Sequence, residues 1–213
     1  MKLRRINGGS IVNINIDSYY YMRDNIFDKV QKASNVEKLA MAVLMACLTG
    51  ILAQFIIPLP WTPVPVTGQT LGVLVSGLFL GKRFGVLSQV IYIFAGILGV
   101  SWFAEMSSGL SVFLGSTCGY FIGFILAAAL IGYISEKYTE SRNFKKMFGL
   151  MLVANFACIY IPGLIGLSIW LYFTQGAFPD IITLIMMGLA PFIIGDLFKV
   201  GIAAGISKVA LPK

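Results

Sequence analysis

From residue 39 onward, long apolar runs alternate with short polar, glycine-rich or proline-rich breaks. A membrane-crossing helix needs about 20 mostly apolar residues at a rise of ~1.5 Å each. The runs predict spans over residues 39–57, 69–80, 84–98, 117–134, 148–173 and 192–211. The first ends at Pro58, which has no N–H with which to extend the ladder. Pro58, Pro60, Pro63 and Pro65 then keep the segment 58–67 extended and stiff. Spans 69–80 and 84–98 are short, are separated by little more than Gly81, Lys82 and Arg83, and are expected to be buried against neighbours. In the outer half of the fourth span, Gly115, Gly119 and Gly123 fall four apart, a spacing that lets another helix or a ligand approach the backbone. The fifth is expected to tilt or kink at Pro162 and Gly163. The apolar stretch 181–211 is too long for one ordinary crossing and is predicted to break at Pro191, because proline is favoured in the first turn of a helix and penalised inside one. Residues 181–189 become a separate short helix at the outer surface.

Composition identifies the solvent for all this apolar surface. Of 213 residues, 58% are hydrophobic and 12% charged, more apolar surface than a soluble domain of this size covers, so lipid takes up the excess. The net charge of +7 would suit a nucleic-acid partner, but the Lys and Arg residues follow topology instead. They gather ahead of the first run, at Lys82 and Arg83, between Lys137 and Lys146, and at Lys208 and Lys213. The connections 58–68, 100–112 and 174–190 hold none. Since cytoplasmic loops accumulate Lys and Arg, the expected fold is an all-α polytopic membrane protein with six transmembrane helices, both termini cytoplasmic, and no nucleic-acid partner. Residues 1–35 form a polar cytoplasmic leader, partly disordered and without the apolar core of a cleavable signal. Residues 36–213 form the membrane domain. Cys47, Cys118 and Cys158 each sit in an apolar stretch, which reads as small buried thiols and not a disulfide framework, and the lack of His argues against a zinc site.

A charge within the hydrocarbon region is costly unless it is paired or faces a polar cavity. Asp196 and Lys199 lie three residues apart and so share a helix face in the outer third of the last span. They either neutralise one another or present an acceptor and donors to a polar ligand. Thr67, Gln69, Thr70, Glu105, Thr117 and Tyr120 also fall at outer ends of spans, accompanied by Trp61, Trp102 and Phe103. The aromatics serve either as interface anchors or as walls of a small outer pocket. On the first span, Ala42, Ala46 and Gly50 repeat every four residues, a small-residue stripe for packing within the chain or for docking another subunit's helix. No phosphate-binding loop of the Gly-x-x-x-x-Gly-Lys-Ser/Thr kind occurs, so any energy-requiring step would draw on partners or an ion gradient. A small membrane enzyme is disfavoured, because Ser107, Ser108 and Ser111 have no His to activate them. A non-catalytic scaffold leaves the outer polar cluster unexplained.

Four segments resemble a known family: Pro63 to Gly72 (PVPVTGQTLG), Gly81 to Gln89 (GKRFGVLSQ), Gly115 to Phe124 (GSTCGYFIGF) and Pro191 to Lys199 (PFIIGDLFK). Together, in this order and spacing, they are similar to the biotin-specific S component of energy-coupling-factor (ECF) transporters, the BioY family. The resemblance implies a non-enzymatic subunit of a prokaryotic plasma-membrane transporter. It would capture biotin from outside and dock on a transmembrane coupling subunit driven by two ATPase subunits, with no cofactor of its own. It also implies that Asp196 and Lys199 hydrogen-bond the ureido ring, that Thr67 and Gln69 close the outer loop over the ligand, and that Phe103, Gly115 and Tyr120 wall it. Ala42, Ala46 and Gly50 would be the docking surface. Glu105 stands where a neutral amide touching the ring is expected. An S component for another vitamin is the alternative.

Overall fold

The computed structural model describes residues 16–212. The chain runs through α1 (Ile16–Lys32), α2 (Asn35–Ala53), β1 (Ile56–Ile57), β2 (Val66–Thr67), α3 (Gln69–Ile97), α4 (Leu110–Phe113), α5 (Cys118–Lys137), α6 (Phe144–Val153), α7 (Tyr160–Gln175), α8 (Ile181–Gly188) and α9 (Ile193–Ala210). Among the described residues, five helical stretches are long and apolar enough to cross a membrane. Their outward faces carry Leu44, Ile51, Phe94, Ile122, Ile165 and Phe198, while Ser76, Ser88, Gln89 and Asn155 are buried. Apolar groups outside and hydrogen-bonded polar groups inside suit a lipid surround. The chain is an all-α, multi-pass membrane protein.

Helix α3 doubles back on itself at Gly81, whose φ of 70° is open to glycine and strained for other residues. The limbs 69–80 and 82–97 lie antiparallel. The Gln69 amide donates to the Tyr92 hydroxyl at 2.7 Å, the Gln89 amide donates to the Ser76 hydroxyl at 2.9 Å, and Gly85 abuts Gly77. On α5, Gly132 presses against the turn so closely that a Cβ there would stand 2.3 Å from the Gly81 carbonyl carbon. The Glu136 carboxylate accepts the Lys82 N–H at 3.1 Å and caps the second limb. The lysine-arginine turn expected after residue 80 is therefore a true chain reversal.

The expected kink at Pro162 appears one turn earlier. Residues Ala154–Ile159 form a π-helical turn between α6 and α7. Pro162 has no N–H to offer the Cys158 carbonyl, and the widened turn accommodates that missing bond. Across from it, Gly123 lets α5 touch the π turn's backbone and Gly119 lets it touch α7, where a Cβ on Gly119 would lie 1.9 Å from the Pro162 carbonyl oxygen. The last apolar stretch breaks as expected. Asp180 caps α8 by accepting the N–H groups of Ile182 and Thr183, the backbone leaves helical geometry at Leu189, and a 3-10 turn with Pro191 at its start leads into α9.

Within the leader, residues 16–32 form α1, and Tyr19, Met22, Ile26, Phe27 and Val30 supply a helical apolar stripe toward α3 and α9. Tyr19 donates to the Val209 carbonyl at 2.5 Å, and the Arg142 guanidinium sits 4.8 Å from the Phe27 ring centre. Residues 1–15, the rest of that leader apart from the linker to α2, lie outside the described residues. The stripe of Ala42, Ala46 and Gly50 is no free docking surface, because all three are buried inside this chain, Gly50 beneath the Trp102 ring. Small residues are needed there to bring α2 close to its intramolecular neighbours.

Candidate functional site

A cavity of about 460 Å³ lies between β2, the start of α3, α5, the α7 entry, α9 and the loop 103–117. Thr67, Gln69, Phe103, Glu105, Gly115, Tyr120, Asp196 and Lys199 all line it, as do Thr70 and Thr117. Trp61 and Trp102 do not. The Trp102 indole donates to the Tyr92 carbonyl at 2.9 Å and packs on Gly50, a structural part.

Asp196 stands in the first turn of α9, where a negative charge complements the helix dipole. It is almost wholly buried, with 1% of its surface exposed, a place where a carboxylate is costly unless its oxygens are paired. One carboxylate oxygen is ion-paired with the Lys199 ammonium and accepts the Thr70 hydroxyl at 3.3 Å. The other accepts the Asn155 amide at 2.7 Å and the Tyr160 hydroxyl. Lys199 also donates to the Thr67 carbonyl at 2.8 Å. An ammonium carries three hydrogens, so one remains beyond these two bonds.

The roof is pinned. Thr67 donates to the Gln69 side-chain carbonyl at 2.7 Å, Thr62 to the Met187 carbonyl at 2.7 Å, and Ser116 to the Pro63 carbonyl at 3.0 Å. The Tyr120 hydroxyl donates to the Gly188 carbonyl at 2.7 Å, so its ring is a fixed wall. Opposite, the Phe103 ring is pressed onto Gly96 and lies 4.8 Å from Phe121.

Sequence reasoning missed three polar residues. Asn155 from the π turn and Tyr160 from the start of α7 hold Asp196. Gln54, at the end of α2, donates to the carbonyls of Trp102 at 3.1 Å and Phe103 at 3.0 Å, and its own carbonyl accepts the Met106 N–H at 3.0 Å. It braces a loop in which Glu105 and Met106 have φ of 61° and 53°, each a costly conformation for a residue with a side chain. Gln54→Ala is expected to lower stability by about 1–3 kcal/mol, the cost of leaving buried polar groups unpaired. Hydrogen exchange should then accelerate at residues 103–107 and stay unchanged in α5, as read by mass spectrometry.

An inward-facing charge pair of net zero, a spare ammonium hydrogen and aromatic walls fit a small solute with a neutral, strongly polar head and an apolar body. Fold and cavity together define a multi-pass membrane protein with an internal cavity of small-solute size. The BioY family model matches residues 25–212. The probable biotin transporter BioY of Methanothermobacter thermautotrophicus is 49% identical over 138 residues, 65% of this chain and 88% of that protein. The biotin transporter BioY of Thermotoga maritima is 36% identical over 154 residues, 71% of this chain and 83% of that one. A solved structure described as the S-component for biotin from an ECF-type ABC transporter aligns with a TM-score of 0.71 at 27% identity, covering 83% of this chain and 93% of its own. The chain belongs to the BioY family.

Proposed function

We propose that this chain is the biotin-capturing S component of an ECF-type uptake transporter. The observation that carries this reading is the buried Asp196–Lys199 pair lining the cavity with one ammonium hydrogen unspent, in a member of a family whose named relatives are biotin transporters. The ureido ring of biotin is neutral and strongly polar, with one carbonyl and two N–H groups. Lys199 donates its third hydrogen to that carbonyl. Asp196 accepts a ring N–H in exchange for Thr70, whose 3.3 Å bond is the longest that this carboxylate receives. Phe103, Gly115 and Tyr120 enclose the apolar rings, and Thr67 and Gln69 hold the roof over them.

In this reading the chain crosses the plasma membrane of a prokaryote six times: by α2, by each limb of α3, by α5, by α6 through α7, and by α9, with both ends cytoplasmic. Translocation relies on a coupling subunit and two ATPases. Isothermal calorimetry of the purified protein against a vitamin panel tests the assignment. Saturable binding of biotin in preference to thiamine and riboflavin is expected. Equal or absent binding of biotin would end it.

A further inference from the structure

The two oxygens of Asp196 are not equivalent. Oδ1 is ion-paired with Lys199 and accepts the Thr70 hydroxyl at 3.3 Å, and both of those partners line the cavity. Oδ2 accepts the Asn155 amide at 2.7 Å and the Tyr160 hydroxyl. Each carboxylate oxygen has two lone-pair sites. Oδ2 is therefore spent on the protein, and Oδ1, with its long bond to Thr70, is the oxygen left for a solute.

The π turn produces this asymmetry. The Tyr160 N–H reaches the Asn155 carbonyl, the i to i+5 bond of a π-helix, which sets residues five apart on one face. Tyr160 lines the cavity; Asn155 does not, and it is fully buried. Its amide can meet Asp196 only through nitrogen, since its oxygen has no hydrogen to give a carboxylate. No described residue donates to the outward-turned Oδ1 of Asn155. A buried acceptor without a donor lowers stability, so packing alone gives no reason for an amide here. The bond to Asp196 does.

Resting on the biotin reading, we propose that Asn155 is a positioning residue for recognition: without touching the solute, it turns Asp196 so that Oδ1 meets a ring N–H while Lys199 takes the adjacent carbonyl. With the Asn155 donor removed, Tyr160 alone holds Oδ2, the carboxylate can rotate about its Cβ–Cγ bond, and Oδ1 loses its fixed direction. The turn in the helix thus serves the polar end of the cavity from behind its wall.

The test is calorimetry of biotin and desthiobiotin on the intact protein, Asn155→Leu and Asn155→Ala. Desthiobiotin keeps the ring urea and lacks the sulfur ring. Each variant is expected to keep the full number of binding sites and to bind both ligands about 10-fold more weakly, the order of effect of one hydrogen bond to a charged group. Asn155→Ala guards against overpacking by Leu; if the Leu variant does not fold, the Ala variant decides. Sites of unaltered affinity, whether all of them or a reduced number, overturn the proposal, because a purely structural defect removes sites without weakening those that remain. Weakening of biotin alone also overturns it, since that marks a disturbed wall around the sulfur ring and not a turned carboxylate. Either result leaves the biotin reading standing. If the intact protein binds neither ligand, the biotin reading fails and this inference with it.

Discussion

Replacing Asp196 with Asn is expected to reduce biotin affinity about 100- to 1,000-fold while leaving a folded protein. The substitution keeps shape and removes charge. Lys199 is then a half-buried cation held by little more than the Thr67 carbonyl, and the new side-chain amide offers hydrogens where Asn155, Tyr160 and Thr70 already donate. Breaking one side of a buried ion pair costs about 3–5 kcal/mol, and the share that falls on binding corresponds to the loss expected here. Calorimetry with biotin, paired with thermal unfolding in the same detergent, separates the two shares. Lower melting with unchanged affinity would make the pair purely structural.

Gly119→Val is expected to abolish the folded state. Its added Cβ would lie 1.9 Å from the Pro162 carbonyl oxygen, a backbone atom that cannot swing away, and Gly166 approaches the same place from α7. Forcing α5 and α7 apart would also open the cavity they line. Overpacking of a tight interior commonly costs about 1–3 kcal/mol, and a clash with rigid backbone sits beyond that range. Gly201→Ala on α9 is the control, because nothing lies within 4 Å of a Cβ there. Size-exclusion profiles in detergent should show aggregation for the first and a monodisperse peak for the second.

Much of this architecture was legible because hydropathy and breakers speak directly about helices in lipid. The Gly81 to Arg83 turn and Pro191 stand where the sequence places breaks, whereas α2 ends at Ala53, short of the stop expected at Pro58, and residues 56 and 57 pair as β1. The cavity-lining residues were legible too, since polar groups clustered at span ends have few other reasons to be there. What escaped depended on geometry that spacing does not encode. Asn155 and Tyr160 are five apart, and in a regular α-helix such residues stand about 140° from one another around the axis. Only the wider π turn brings both onto Asp196. Gln54 reads as an ordinary polar residue where a span ends; its bonds go to a loop some fifty positions away. The stripe of Ala42, Ala46 and Gly50 announced close packing correctly, but periodicity does not say whose helix fills the groove, and here it is the chain's own. Helix α1 had a readable stripe of its own, outweighed by the polarity of its surroundings.

The reversal at Gly81 bears on how far a captured solute has to travel. The limb 69–80 begins beside the cavity and, at 1.5 Å per residue, ends about 18 Å away at Lys82 and Arg83. A bilayer's hydrocarbon layer is about 30 Å thick. The cavity residue Gln69 and the basic turn are thus separated by little more than half that insulating thickness.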